Sequence, residues 1–250
     1  MQIVRYIESS SPKGDTKGQA GASDSLGHAL GFAVDVGTTT VVVRLYDIEK
    51  QVFLGQCSRR NAQNIMGKDV VMRMMHCLRG QGQRLQELIT GQILDMIREL
   101  LEESFAQETE GCWPDCREMV VVGNTAMCHI FLGMDVSGIA GSPFHAAYSG
   151  AWEGQGAYFG WKRCENLRVR VLPGIASHVG ADAMAMLLHQ DLDRTEKTVL
   201  AVDIGTNAEM VLANHGALTT GSVPAGPAFE GMEISCGMAG GPGAITGIRL

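Results

Sequence analysis

The chain has 250 residues, 45 % of them hydrophobic and 19 % charged, and a net charge of −7. That length can bury one large core or two modest ones, and the balance is that of a folded globular protein rather than a disordered one. The acidic balance, with no basic run, argues against nucleic acid as a partner, and no apolar stretch reaches the length of a membrane span.

The N-terminal MQIVRYIESSSPKG lacks the apolar core of a signal peptide, so the cytoplasm is the expected compartment. Residues 1–30 are expected to form a flexible linker or the remnant of an upstream domain, because Ser9–Ser25 is rich in Ser, Gly, Lys and Asp. The cysteines at 57, 77, 112, 116, 128, 164 and 236 are odd in number and scattered, which is no disulfide framework. Cys112 and Cys116 are close in GCWPDC, but no second pair completes a four-ligand metal or Fe–S site. Most of the cysteines are expected to be reduced and partly buried.

The first strong pattern is Gly31–Asp47, GFAVDVGTTTVVVRLYD. An apolar run, Phe32 to Val36, holds Asp35 inside it, and a β-branched run, Val41 to Val43, follows. The spacing predicts a hairpin whose turn is Gly37, Thr38, Thr39 and Thr40. A turn of small residues presents backbone N–H groups and hydroxyls, which suit phosphate oxygens. An aspartate at its mouth can hold Mg²⁺ through water. The alternative is a plain hairpin with a buried, hydrogen-bonded Asp35. A third strand is expected over Gln51–Gln56, and Asn61 to Gly67 reads as loop.

Helix signals begin at Asp69, placed to cap, and Val70, Val71, Met74, Met75 and Leu78 are expected to share a core-filling face. Leu85–Phe105 is the clearest helix. Leu85, Leu88, Ile89, Ile93, Met96, Ile97, Leu100 and Leu101 follow the three-and-four spacing of a buried stripe, opposite an acidic solvated face. Met119–Val122 predicts a short buried strand ending at Gly123 and Asn124, followed by a helix from Thr125 to Leu132 that stops at Gly133. Such a step brings a helix N-terminus near a ligand cleft. His129, in an apolar run, is expected to be a satisfied core histidine. Gly138–Arg163 has no clear local pattern and is expected to be a loop-rich insertion. Arg168–Leu172 predicts a strand, and Val179–His189 a helix with Asp182 in its first turn.

Val199–Ala213, VLAVDIGTNAEMVLA, then repeats the first hairpin: apolar strand, Asp203, Ile204, Gly205, Thr206, Asn207, strand. Asp-aliphatic-Gly-Thr occurring twice, about 170 residues apart, is poorly explained by chance. Two such hairpins facing one another could grip a triphosphate and its metal from both sides. A turn at Asn214-His215-Gly216 leads to another strand. The glycine-dense GSVPAGPAFEGMEISCGMAGGPGAI follows, with Glu230 a candidate for the metal or nucleotide.

The paired motifs resemble the phosphate-one and phosphate-two motifs of the ASKHA superfamily of acetate and sugar kinases, chaperone ATPases and actin. Together with NAQNIMGKDVVMRM, VVVGNTAMCHIFLG and AGPAFEGMEISCGM they are most similar to one branch, the ATP-dependent reductive activators of corrinoid proteins. The likeness covers roughly residues 31–250. It implies an α/β fold of the ribonuclease-H-like, actin-like ATPase type, with a first lobe over residues 31–195 and the start of a second over 196–250. The second would be truncated ahead of the segment that binds adenosine, so the chain would be a fragment or a shortened relative, or another chain would supply the missing half.

The resemblance further implies ATP and Mg²⁺ as cofactors. Asp35 and Asp203 would organise the metal, and Thr38–Thr40 with Thr206 and Asn207 would hold phosphates. Gly123 and Asn124 would match the connecting segment that hinges the lobes. Asp182 would face the γ-phosphate and orient water, an in-line placement that phosphoryl transfer needs; its other reading is a helix N-terminal carboxylate that favours the macrodipole. The implied activity is ATP hydrolysis coupled to reduction of a Co(II) corrinoid to Co(I), on a corrinoid protein or corrinoid-dependent methyltransferase. The Fe–S centre would lie on a missing domain or on a separate electron donor, and a homodimer is left open. A small-molecule kinase, a dehydratase activator, or a non-catalytic nucleotide-binding module are the other readings of the same fold.

Overall fold

The two β-branched runs that flank Gly37 pair with each other, and a six-stranded sheet is built outward from them. The computed structural model describes residues 2–3, 29–105, 115–205 and 207–225. Its contacts divide the chain into two units, Asp24–Ala185 and a second made of Met1–Ser23 with Met186–Leu250. The first strand, Gln2–Ile3 (β1), belongs to the second unit.

In the larger unit Leu30–Val36 (β2), Thr40–Asp47 (β3) and Val52–Arg60 (β4) form an antiparallel meander. Cys116–Val122 (β5) and Arg168–Val171 (β7) run parallel to β2, and Trp152–Gln155 (β6) closes the far edge antiparallel to β7. The order is β4-β3-β2-β5-β7-β6. Three antiparallel strands followed by strands parallel to the first, reached through helical crossovers, is the ribonuclease-H-like arrangement that the motifs imply.

The helices are Val70–His76 (α1), Gly82–Ser104 (α2), Thr125–Leu132 (α3), Ser137–Ala140 (α4) and Ala181–His189 (α5). α2 packs on β3, β4 and α3. It buries Leu85, Ile89, Ile93, Met96, Ile97, Leu100 and Leu101, with Leu88 half-buried. Burying each such side chain stabilises the fold by roughly 1.5–3 kcal/mol, so this stripe anchors the sheet. α3 has the predicted limits: Asn124 caps it by accepting from Met127 N at 3.0 Å, and Gly133 ends it in the left-handed region at φ 68°. His129 is a satisfied core histidine. Its Nδ1 donates to Thr125 O at 2.7 Å, its Nε2 accepts from Tyr148 N at 3.3 Å, and burial lowers its pKa.

One expectation fails here. Asp69 does cap α1, accepting from Met72 N at 2.8 Å, but the helix does not bury an apolar face. Met74 is buried, whereas Val71, Met75 and Leu78 are exposed; the side chain turned into the core is Arg73. α1 is too short to carry a stripe, and beyond it the chain kinks at Gly80, φ 82°, before α2. The insertion at 138–163 is loop-rich, with no helix or strand over 141–151. It supplies α4, β6 and a cluster in which Trp152, Tyr158, Phe159 and Trp161 pack edge and face, with Phe159 also on Phe131. Aromatic side chains, rather than β-branched ones, hold this part, so periodicity is silent about it.

The second unit is a sheet of order β1-β8-β9-β10, from Val199–Ile204 (β8), Asn207–Asn214 (β9) and Ala217–Pro224 (β10). His215 and Gly216, at φ 49° and 79°, make the two-residue turn between β9 and β10, a geometry that needs positive φ at both positions.

Candidate functional site

The Gly37–Thr40 turn is held from behind by side chains of three other elements. Asn61 Nδ2 donates to Gly37 O at 2.8 Å, Arg73 Nη2 to Thr38 O at 2.6 Å, and Asn61 N to Thr39 O at 2.8 Å. The Thr38 hydroxyl accepts from Asn124 Nδ2 at 3.0 Å. Three successive carbonyls are therefore drawn towards the Asn61–Gly67 loop. In a trans peptide the N–H points opposite the C=O. The amides of Thr38, Thr39 and Thr40 thus each point away from the group that holds the carbonyl of their own peptide. Gly37 is required by space, since a Cβ there would collide with Thr40 O.

The residues at the ends of the central strands converge on this turn. Asp35, at the end of β2, is exposed, which removes the alternative of a buried aspartate. Gly123, at the end of β5, crosses β2 so closely that a Cβ would lie 2.7 Å from Val36 O, and its φ of 156° disfavours other residues. Gly123 O accepts from Ala181 N at 3.0 Å and Asp182 N at 3.3 Å, which ties the start of α5 to the start of α3. Gly180 permits this contact, because a Cβ there would lie 2.6 Å from Thr125 N. Asp182 is half-buried, and its Oδ1 accepts from Ala183 N at 2.8 Å. The buried Cys128 thiol records the neighbourhood of both carboxylates: burial pushes its pKa up, and the charges of Asp182 and Asp35 push it further. Asp35, Gly37, Thr38, Thr39, Thr40, Gly123, Asn124 and Asp182 are accordingly brought together within the larger unit.

The second motif forms its own hairpin. β8 pairs antiparallel with β9, Ile204 opposite Ala208, and Gly205 N donates to Asn207 O at 2.9 Å across the turn. Asp203 is exposed, yet enough protein surrounds its carboxylate to raise its pKa by desolvation. Thr206 and Glu230 lie outside the described residues.

The donors suit a magnesium-bound phosphate chain. Mg²⁺ takes one or two carboxylates, several waters and phosphate oxygens, rather than an all-protein cage. Asp35 offers hard oxygens beside a turn whose amides face away from its support. Among the described residues no group of three or more His, Cys, Asp and Glu could hold a metal ion. Among the described residues the cysteines Cys57, Cys77, Cys116, Cys128 and Cys164 are free, and Cys112 lies outside them. No helix among the described residues is long and apolar enough to cross a membrane.

Sequence reasoning missed the support of the turn. Asn61, Gln63 and Arg73 are buried, with exposures of 1 %, 0 % and 0 %. A signal was present: Arg73 is the lone cation within the otherwise apolar VVMRMM, close behind a polar loop and a cap. Glu209 was missed too. It is buried directly opposite Asp203 in the β8–β9 ladder, and its Oε1 accepts from Ser222 Oγ at 3.2 Å.

Comparison with known proteins decides the family. The family described as the RACo middle region matches residues 30–195, and the C-terminal domain of RACo, the ASKHA domain, matches residues 197–250. The chain belongs to the RACo family. It is 32 % identical over 215 residues to the corrinoid activation enzyme RamQ of Eubacterium limosum, covering 86 % of this chain and 35 % of RamQ. It is 44 % identical over 91 residues to the [Co(II) methylated amine-specific corrinoid protein] reductase of Methanosarcina barkeri, covering 36 % of this chain and 17 % of that one. Among solved structures, a reductive activator for corrinoid, iron-sulfur protein superposes with a TM-score of 0.77 at 33 % identity, over 84 % of this chain and 33 % of that one. The chain therefore spans about a third of the length of RamQ and of that activator. The RACo match, with its ASKHA domain, agrees with the actin-like ATPase fold read from the paired motifs.

Proposed function

We propose that this chain carries the phosphate- and magnesium-holding part of an ATP-dependent reductive activator of corrinoid proteins. The observation that carries the reading is the Gly37–Thr40 turn. Its three carbonyls are tied to Asn61 and Arg73, and its amides are turned away from them beside the exposed Asp35. RACo membership supports the nucleotide, and the names of the relatives support a corrinoid protein or a corrinoid-dependent methyltransferase as partner.

In this reading ATP and water give ADP and phosphate, and the energy released drives one electron from a separate donor onto Co(II), leaving Co(I). A donor that carries an Fe–S centre would supply that electron. Thr38, Thr39 and Thr40 would hold phosphate oxygens through their amides and hydroxyls, and Gly205 and Asn207 belong to the matching turn of the second motif. Asp35 would hold Mg²⁺ through water beside the first turn, and Asp203 stands at the same place in the second motif. Asp182, at the head of α5, orients the water that attacks the γ-phosphate. Gly123 and Asn124 let strand and helix approach the turn closely. The protein acts in the cytoplasm.

Calorimetric titration with Mg·ATP tests the reading on the purified chain and on Asp203→Ala. Saturable binding that the substitution abolishes is the expected result. No binding by the unsubstituted chain, or equal binding by the variant, would refute the assignment.

A further inference from the structure

The largest fully buried side chain among the described residues is a cation, Arg73. All five of its N–H groups are used. Nε donates to Gly67 O at 3.0 Å, Nη1 to Gln63 Oε1 at 3.1 Å and to Met127 Sδ at 3.0 Å, and Nη2 to Asn64 Oδ1 at 2.7 Å and to Thr38 O at 2.6 Å. Every acceptor is uncharged. Burial draws the pKa down to about 10, against a smaller upward pull from Asp69, so the group keeps its charge at neutral pH.

A buried charge with neutral partners is a costly way to fill a core. An apolar side chain of similar volume packs there at lower cost. The fork geometry, in contrast, joins four pieces of chain at once: the loop at 61–67, α1, α3 and the turn at Thr38. The bond to Thr38 O is the shortest of the five. The 38–39 peptide that accepts it carries the Thr39 N–H on its opposite side. A charge-assisted hydrogen bond to a carbonyl polarises the peptide and strengthens the N–H as a donor. The remaining charge, held in a low-dielectric core, also favours an anion on the far side of the turn.

We propose that Arg73 is a positioning residue of the phosphate turn. It fixes the 38–39 peptide with its amide outward and raises the turn's affinity for phosphate oxygens from behind, without touching the ligand. This inference rests on the phosphate-site reading above.

The test is calorimetry with Mg·ATP and with magnesium tripolyphosphate, which lacks the base and sugar. The proteins are the unsubstituted chain, Arg73→Lys, Arg73→Met, and Ile93→Ala, a core substitution in α2 away from the turn. All are measured at a temperature where circular dichroism shows them folded. Arg73→Met is expected to weaken both ligands about tenfold or more, and Arg73→Lys by less. Ile93→Ala is expected to lower the melting temperature while leaving both affinities within about twofold. Unchanged affinity in Arg73→Met, or an equal loss in Ile93→Ala, would overturn the inference and leave the phosphate site standing. If Arg73→Met does not fold, Arg73→Lys decides: it keeps the charge but not the fork, so unchanged affinity together with unchanged amide exchange at Thr38–Thr40 would overturn the inference. Failure of the unsubstituted chain to bind either ligand refutes the phosphate site itself.

Discussion

The same short motif is supported in two different ways in this chain. Around Asp35 the strand is closed on both sides: β2 lies between β3 and β5, Val34 is 1 % exposed, and side chains from the 61–67 loop, α1 and α3 hold the turn. Around Asp203 the strand, between β1 and β9, is half-buried up to Val202 and exposed at Asp203 and Ile204, and among the described residues the bond across the turn is the backbone one from Gly205 to Asn207. A motif of four residues thus specifies a hairpin, but not how firmly the protein holds it. That depends on polar residues elsewhere in the sequence, which must be buried to act.

The largest effect should come from removing the support of the first hairpin. Arg73→Ala leaves five acceptors without a donor, so a loss of about 3 kcal/mol or more is expected in urea unfolding. A loss below about 1 kcal/mol would mean that the network forms only weakly. Next comes a matched pair, Val34→Ala and Val202→Ala, each just before its aspartate. The first empties a buried site and should cost about 2 kcal/mol, the second less than about 1 kcal/mol. Equal losses would erase the contrast between the hairpins. Asn61→Ala removes one bond to the turn and the cap on Gln63 N, which lies 2.9 Å from Asn61 Oδ1. It should cost roughly 1–2 kcal/mol and speed amide exchange at residues 37–40.

The smallest effect concerns charge in the second hairpin. Desolvation raises the pKa of Asp203, so ionising it costs the folded state. The protonated form's contribution is present at low pH and is lost as pH rises through the folded pKa. Asp203→Asn should therefore melt slightly higher than the unsubstituted chain at neutral pH. The gain should vanish below the ordinary carboxylate range, where both side chains are neutral. A lower melting temperature at neutral pH would show that the carboxylate is stabilised instead.

Much of the larger unit was legible because its elements obey simple periods. The α2 stripe, the Asn124–Gly133 limits of α3 and the β-branched pairs of β2 and β3 all lie where spacing and caps put them. The misses share a cause. Arg73, Asn61 and Gln63 are polar residues whose burial depends on partners distant in sequence, and no period marks them. Val71, Met75 and Leu78 looked like core because α1 is apolar in composition, but their exposure follows from a helix of seven residues that turns a cation inward. The 152–161 segment is held by aromatic contacts that composition hints at and cannot place.

The central claim is that the outward amides of the first hairpin are a phosphate site. Hydrogen–deuterium exchange of the chain with and without Mg·ATP tests it at the residues concerned. The account predicts slower exchange on nucleotide addition at Thr38, Thr39 and Thr40, and little change along α2. Binding of Mg·ATP with no protection at Thr38–Thr40 would contradict it.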